Sequence, residues 1–468
     1  MPRPLLRIAA LAVATASTAA AQVPAALPAP PPAAPRATVT AGPPPDARLY
    51  AIAEAPQAAR IERDIRALAG FGTRNTFSDT VSSTRGIGAA RRYLKAQLAE
   101  IGRACGDCLE VVEQRTYVPG GTGERIPRGI WIVNVYAIQR GTERPGHYAV
   151  MSGDIDSRGT AAVDSLKDAP GANDNASGAA GVLEAARVLT RYRFPNSIVY
   201  ALLSGEEQGL FGGQHLARRA AAEGWNVLGV LNNDMIGNTC GISGQCSNQT
   251  FRVFSEPTPV TETDRQRASR RFYGGEVDGP SRQLARYVDR LADAYFDHLD
   301  ARMIYRLDRF GRGGHHRPFN DQGFPGVRIM ETHEHYDRQH QDLRTENGRH
   351  FGDTVEFVDF AYAARLTGIN AVVLASLASA PPPPARVRIG GAVSASTTLD
   401  WDAVPGTVAY ALYWRDTTEP QWTHRRVVHG GTRFTLENVV IDDFLFGVAA
   451  IGPDGNESLV VFPTEVGR

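Results

Sequence analysis

Acidic side chains recur where three strand-like apolar runs of this chain end. These carboxylates are Asp154, Asp156, Glu206, Glu207 and Asp234. Another acid, Asp174, precedes a helix-like segment between the first two runs, and His340 follows farther along the chain. Carboxylate oxygens and histidine nitrogens are the ligands that zinc takes in hydrolytic enzymes. The set therefore predicts a metal-dependent hydrolase.

The residue types also suggest a role for each side chain. Two zinc ions roughly 3.5 to 4 Å apart need one bridging carboxylate and terminal ligands on each ion. Asp174 suits the bridge, and Glu207, Asp234 and His340 suit the terminal positions. Glu206 is not needed as a ligand, so it can take a proton from a metal-activated water and pass it to a leaving amine. This assignment predicts cleavage of an amide bond.

Each of these residues has an ordinary structural interpretation as well. Carboxylates at strand ends often cap helices, Glu206 and Glu207 could form a solvated surface pair, and a single histidine is usually structural. Their occurrence together, in order and at strand ends, favours the catalytic interpretation.

The segments around these residues alternate between strand and helix. The strand-like runs are 129–139, 147–152, 197–203 and 227–231, and the helix-like segments are 176–192 and 210–223. Such alternation predicts an α/β fold with a mainly parallel sheet flanked by helices. Ligands of such sheets gather beyond the carboxyl ends of the strands, where the acids lie.

The beginning of the chain differs in composition from its middle. Arg3 and Arg7, followed by an apolar run that ends at Ala21, predict a signal peptide over residues 1–21 and a secreted or periplasmic protein. Residues 22–46, rich in alanine and proline, predict an extended leader. The apolar run is shorter than a bilayer core requires, so no stable membrane insertion is expected.

Four consecutive prolines, residues 381–384, predict a linker to a second domain. Short apolar runs separated by turn residues follow it and predict a small β-sandwich. Leu399-Asp-Trp401, the run 410–414 and the run 446–451 resemble the fibronectin type III module within residues 385–468. This region contains no catalytic constellation, so we expect a spacer, or a module that docks to a surface or polymer.

Charge and cysteine content limit the remaining functions. The 50 basic and 50 acidic residues cancel, so the strong positive charge that nucleic-acid binding needs is lacking. The cysteines form two close pairs, Cys105 with Cys108 and Cys240 with Cys246. An oxidising compartment favours two local disulfides, and a redox dithiol or half of a zinc site remains the alternative for the first pair.

Four segments resemble the M28 family of zinc aminopeptidases. They are residues 171–178 (GANDNASG), 205–212 (GEEQGLFG), 233–237 (NDMIG) and 317–319 (RPF). The resemblance covers about residues 85–380. It implies a phosphorylase/hydrolase-like α/β fold for a peptidase domain over residues 47–380, peptide substrates, and two zinc ions per chain, with one as the alternative. It also implies the roles assigned above to Asp174, Glu206, Glu207, Asp234 and His340.

Two positions depart from the pattern of that family. The chain has Asp154 where a metal-binding histidine is usual, and His315 where an acid usually precedes the Pro-Phe pair. We interpret the departures as a coupled exchange, in which Asp154 remains a ligand of the first metal. His315 and Asp156 would then each either form a hydrogen bond to a metal ligand or replace a ligand. The alternative is an ordinary loop histidine beside a weak or empty first site.

The leading prediction is a secreted exopeptidase that hydrolyses N-terminal residues from peptides by a zinc-bound hydroxide, with Glu206 as general base. One alternative is a one-zinc enzyme resembling glutaminyl cyclases, which close an N-terminal glutamine. A second is a catalytically degenerate binding protein, against which the retained Glu206 argues. The preference of the enzyme for particular side chains of the substrate would depend on an apolar pocket formed by loops distant in sequence.

Overall fold

The strand ends that carry the predicted site meet at one end of an eight-stranded sheet. The computed structural model of the chain describes residues 46–466. The predicted signal peptide, 1–21, and all of the leader except Asp46 lie outside the described residues. The strands of this sheet are β1 (Leu109–Val118), β2 (Ile130–Gln139), β3 (Arg144–Asp154), β4 (Asn196–Leu203), β5 (Asn226–Asn233), β6 (Thr250–Ser255), β7 (Asp300–Ile304) and β8 (Gly326–Glu331).

The order of strands across the sheet is β1-β2-β4-β3-β5-β8-β6-β7. The central strands β4, β3, β5 and β8 pair in parallel, as the alternation of strands and helices predicts. In contrast, β2 pairs antiparallel with both β1 and β4, and β6 pairs antiparallel with β8. Strands β6 and β7 at the far edge pair in parallel again, so the sheet is mixed, with four parallel pairings among its seven. Strands β1 and β2 pair antiparallel because the chain turns from β1 into β2 without a crossover helix.

Helices cover both faces of the sheet. They are α1 (Ala47–Glu54), α2 (Ala58–Ala69), α3 (Gly86–Ala104), α4 (Ala176–Leu189), α5 (Phe211–Ala222), α6 (Asp264–Tyr273), α7 (Pro280–Tyr295), α8 (His316–Asn320) and α9 (Phe360–Ser379). Neighbouring residues of a strand face opposite sides. Met151 of β3 therefore shares a buried cluster with α4 and α9, whereas Val150 shares another with α5.

Helix α9 is the main core helix. It is long and apolar enough to cross a membrane by length and composition, but 78% of its most apolar window is buried inside the protein. Because α4 and α9 pack on the same face of the sheet, α9 supports the helix that follows Asp174.

The register of the central strands places the acids side by side. Asp154, the last residue of β3, pairs with Leu203 at the end of β4. The preceding Gly153 pairs with Asn233, the last residue of β5. The residues that follow β4 and β5, which include Glu206 and Asp234, are thereby brought to the same end of the sheet as Asp154.

Beyond residues 381–384, short strands form two further sheets. They are β11 (Val387–Gly390), β12 (Thr397–Trp401), β13 (Ala409–Asp416), β14 (His424–Val428), β15 (Arg433–Leu436), β16 (Phe444–Ile451) and β17 (Glu465–Val466), and a separate hairpin is formed by β9 (Arg344–Glu346) and β10 (Arg349–Phe351). The two sheets have the orders β15-β12-β11-β17 and β14-β13-β16. They share a buried cluster that includes Trp401, Tyr410 and Phe446, as a sandwich requires. The specific resemblance to a fibronectin type III module stays a prediction.

This C-terminal module packs against α7 through buried ion pairs. Arg415 of β13 lies 2.8 Å from Asp278, which also pairs with Arg286 of α7 at 2.7 Å. Glu457 of the module lies 2.8 Å from Arg290 of α7, and its side chain is 1% exposed. The module is therefore a packed part of the chain rather than a spacer. Docking to a surface or polymer stays a prediction.

Replacing Glu457 with glutamine is expected to lower the free energy of unfolding by about 3 kcal/mol, because buried charges lose their partner. Two arginines lose this carboxylate, Arg290 of α7 and Arg425 of β14. Urea unfolding measures the difference. Glu465→Gln, on the exposed strand β17, is the matched control, and equal unfolding midpoints for both variants would contradict a structural role for this interface.

Both predicted disulfides are present. Cys105 bonds to Cys108 and Cys240 bonds to Cys246, with S–S lengths of 2.06 and 2.08 Å. The first closes the turn after α3, and the second closes a loop between β5 and β6. Disulfides suit an oxidising compartment. Export to the periplasm or the medium remains a prediction.

Candidate metal centre

Three of the predicted ligands converge into one cluster, which we call the donor triad: Asp174, Glu207 and His340. Nε2 of His340 lies 2.9 Å from Oδ2 of Asp174 and 2.9 Å from Oε1 of Glu207. The potential ligand atoms of all three residues lie within 4.8 Å of one another. One imidazole nitrogen and two carboxylates form a donor set that zinc accepts. The donor triad therefore fits a single ion.

Neighbouring side chains hold each member of the donor triad. Arg158 donates from Nε to Oε2 of Glu207 at 2.7 Å, and its Nη2 lies 2.7 Å from Nδ1 of His340. The Nε2 atom of His340 is left facing the two carboxylates. The backbone N–H of Asp174 donates to Asp353 at 2.6 Å. Arg158 and Asp353 were missed in the sequence, where neither belongs to a motif that suggests these contacts.

A buried arginine shapes the loop that presents Asp174. The guanidinium of Arg74 donates to the carbonyls of Ile155 at 2.8 Å and Gly171 at 2.9 Å. Gly171 has φ +53°, and a Cβ there would lie 2.4 Å from the carbonyl oxygen of Asp174. A glycine is required at this turn because both the dihedral angle and the close approach exclude a side chain.

Glu206 lies beside the donor triad without being part of it. It follows β4, and the carboxylate of Asp156 accepts from the backbone N–H groups of Glu206 at 3.2 Å and Glu207 at 3.1 Å. Asp156 therefore holds the loop that carries these two residues. The Glu206 side chain lines a cavity of about 600 Å³ and has no hydrogen-bond partner within residues 46–466.

The surroundings of Glu206 suit a proton acceptor. Burial, followed by the carboxylates of Glu207 and Asp234, raises the pKa of Glu206 well above its ordinary value. A carboxylate with a raised pKa accepts a proton from water more readily than an ordinary one. The half-buried, unpartnered Glu206 can therefore serve as a general base.

Asp154 was expected to bind the first metal, and Asp234 was expected to be a terminal ligand. Their surroundings, which we call the first metal position, are built differently from the donor triad. Oδ1 of Asp154 lies 2.5 Å from Nδ1 of His315, and Oδ2 accepts from Asn175 at 2.7 Å. Oδ2 of Asp234 lies 2.8 Å from a guanidinium nitrogen of Arg328. Both carboxylates are thus engaged by groups of the chain itself. In the described part of the chain neither carboxylate belongs to a group of three or more donor residues, and the number of ions per chain stays a prediction.

The contact between Asp154 and His315 is the pairing that the sequence analysis put forward. Burial lowers the pKa of His315 to about 4, so its imidazole is neutral. We assign the proton to Nδ1, since this nitrogen faces the carboxylate. Nε2 of His315 is buried without a hydrogen-bond partner in residues 46–466 and lies outside the donor triad. His315 is therefore placed as a hydrogen-bond partner and not as a ligand.

Arg328 is the residue of this region that sequence reasoning missed. It lies in the middle of the fully buried strand β8 and is itself 0% exposed. Besides Asp234, its guanidinium lies 3.4 Å from Asp308. A charged residue inside an apolar strand requires a partner, and that signal was available in the run 326–331. The strand was not recognised, so the signal was not used.

A model of peptidase family M28 matches residues 134–358. A "Probable zinc metalloprotease" of Leptosphaeria maculans is 41% identical over 424 residues, which cover 90% of this chain and 98% of that protein. A structure of LapA from Legionella pneumophila has a TM-score of 0.53 at 17% identity, covering 72% of this chain and 78% of that one. A second structure, of the LapA aminopeptidase from the same organism, has a TM-score of 0.51 at 18% identity, covering 71% and 74%. At this identity LapA shows a similar fold only.

Proposed function

The chain belongs to peptidase family M28, and on that premise we propose that it is a zinc-dependent exopeptidase that removes N-terminal residues from peptides. The observation that carries the proposal is the donor triad beside the unpartnered carboxylate of Glu206. The relative named as a zinc metalloprotease supports zinc as the ion.

The residues of the chain divide the work of hydrolysis. When bound by the donor triad, zinc supplies Lewis-acid chemistry, which polarises a carbonyl and makes water easier to deprotonate. Glu206 accepts the proton of the attacking water and delivers it to the leaving amine. Asp156 positions Glu206 through the backbone of its loop, and Arg158 orients Glu207 and His340.

The shape and charge of the cavity support action on a chain end. A volume of about 600 Å³ is that of a small-molecule site, which holds a few residues and not a long extended peptide. Glu206, whose carboxylate has no partner in residues 46–466, lines it, and an N-terminal ammonium is attracted to negative charge. Both features favour an exopeptidase over an endopeptidase.

We propose one ion per chain in place of the two expected from the sequence. The donor triad gathers three ligand atoms, whereas Asp154 and Asp234 are engaged by His315, Asn175 and Arg328. The positive charge of Arg328 offsets the negative charge of Asp234, as a first metal ion would.

A donor triad that fits one ion also supports the runner-up, a one-zinc enzyme that resembles glutaminyl cyclases and closes an N-terminal glutamine. The third interpretation, a degenerate binding protein, has less support, because a binder has no use for a buried, unpartnered carboxylate beside a metal site.

A glutamine-initiated peptide and its N-acetylated form separate these functions. We expect release of free glutamine from the first and no reaction of the second, since the acetyl group removes the ammonium that the cavity binds. Mass spectrometry identifies the products. Pyroglutamate would establish the cyclase, cleavage of both peptides at internal bonds would indicate an endopeptidase, and binding without any product would indicate the degenerate protein.

A further inference from the structure

The cavity beside the donor triad is lined by arginine side chains and not by the apolar groups expected of a specificity pocket. Five arginines and six acidic residues line it, whereas Leu210 and Pro318 are its apolar side chains. Arg158 among the five is occupied by Glu207 and His340. The remaining arginines determine where in this cavity of mixed charge an anion could bind.

Arg317, in α8, forms no ion pair with a carboxylate in the described residues. Its side chain lines the cavity and has no hydrogen-bond or ion-pair partner within residues 46–466, and its Nε is buried without an acceptor. Arg125, from the connection between β1 and β2, donates to the backbone carbonyl of Glu207 at 2.8 Å and pairs with no carboxylate in the same range. Both guanidinium groups retain positive charge that an anion could offset.

Arg312 shares a single carboxylate with two other arginines. Glu334 lies 2.8 Å from Arg252, 3.0 Å from Arg309 and 3.4 Å from Arg312. Arg309 also lies 3.5 Å from Asp308, whereas Glu334 is the only carboxylate paired with Arg312 in the described residues, and Arg312 makes the longest of the three contacts with it. Its nearer partner is the neutral amide oxygen of Gln339, at 3.0 Å. The charge of Arg312 is therefore only partly compensated.

The partly compensated charge of Arg312 lies close to the donor triad. Gln339, which accepts from Arg312, donates in turn to Oδ2 of Asp174 at 3.2 Å. An anion bound at Arg312 would thus lie one side chain away from the reacting centre. Arg317 lies five residues farther along the chain and lines the same cavity.

We propose that Arg312 and Arg317, assisted by Arg125, form an anion subsite that binds a carboxylate of the peptide substrate. This inference rests on the proposed exopeptidase function and names its substrate class: peptides with a free carboxylate close to the scissile bond. The planar guanidinium fork matches a carboxylate in two parallel hydrogen bonds. The carboxylate comes either from the C-terminus of a short peptide or from an acidic side chain.

Two matched pairs of peptides test the subsite and distinguish these sources. Ala-Ala against Ala-Ala-amide tests the terminal carboxylate, and Ala-Glu-amide against Ala-Gln-amide tests a side-chain carboxylate. Titration calorimetry on the zinc-loaded Glu206→Gln protein measures binding without turnover. In at least one pair, we expect the peptide with the carboxylate to bind on the order of tenfold more tightly.

The same titrations on arginine variants show which arginines cause the preference for the peptide with the carboxylate. Arg312→Gln and Arg317→Gln are each expected to remove most of the preference, and Arg317→Lys is expected to restore part of it, because charge returns without the planar fork. Arg265→Gln, at an exposed position of α6 outside the cavity, is the control and should keep the full preference.

Equal binding within both pairs, or a preference that survives in both glutamine variants, would overturn the subsite. Steady-state hydrolysis by the protein with Glu206 intact is a second measurement. If the subsite binds the substrate and the transition state equally well, the preference is expected to appear in KM more than in kcat. If none of the peptides is hydrolysed, the proposed exopeptidase function fails, while the titrations still decide whether the anion subsite exists.

Discussion

Glu206→Gln is expected to lower kcat by at least ~10²-fold while zinc content stays unchanged, since a positioned general base contributes about that much or more. The glutamine side chain has nearly the same size but cannot accept a proton. The Glu206 carboxylate has no hydrogen-bond partner within residues 46–466 and lies outside the donor triad, so the substitution breaks no contact and removes no ligand. Turnover and metal content are measured on the same preparation.

The control for this variant is Glu54→Gln, at an exposed position of α1. It should match the unmodified protein in both measurements. Near-normal turnover of Glu206→Gln would assign the general base to another group. Loss of zinc from the same variant would show that Glu206 is a ligand, which would contradict its separation from the donor triad.

Removal of all metal is expected to abolish hydrolysis, and one equivalent of zinc per chain is expected to restore it. The reason is that no serine, cysteine or threonine is placed as a nucleophile in this mechanism, so activation of water depends on the ion. Asp174→Asn and His340→Ala each remove one member of the donor triad and should lose the zinc. Zinc content is measured by mass spectrometry, and hydrolysis is measured with peptides that have a free N-terminus.

The matched control for the ligand variants is Asp154→Asn. It should keep its zinc, because Asp154 is engaged by His315 and Asn175 and does not belong to the donor triad. Two zinc ions in the unmodified protein, with one lost from Asp154→Asn, would restore the two-metal arrangement expected from the sequence. Full activity after exhaustive removal of metal would refute a metal-dependent hydrolase altogether.

The positions of Asp174, Glu206 and Glu207 could be anticipated because they depend on local order along the chain. Each follows or precedes an element that the hydrophobic pattern reveals, and parallel strands bring their carboxyl ends together whatever the details of packing. The two disulfides were likewise predictable, since each pair of cysteines is separated by only 3 or 6 positions.

Other features depend on contacts between segments that are distant in sequence. Arg328 meets Asp234 because β8 lies next to β5 in the sheet, and no local pattern specifies that neighbour. The cavity acquires Arg312 and Arg317 from a segment that the sequence analysis assigned to no element. The interface of α7 with the C-terminal module was missed for the same reason, because its ion pairs join residues more than a hundred positions apart.

The sequence by itself therefore determined which candidate groups stand at the strand ends, and the tertiary structure decided how their charge is balanced. A motif places a carboxylate at a strand end, but a metal ion, a histidine or an arginine can each offset it. At the donor triad, His340 leaves both carboxylates able to hold an ion together with it. At the first metal position, His315 and Arg328 engage Asp154 and Asp234. That difference arises from the packing of β8 and of the segment before α8, and only the folded chain reveals it.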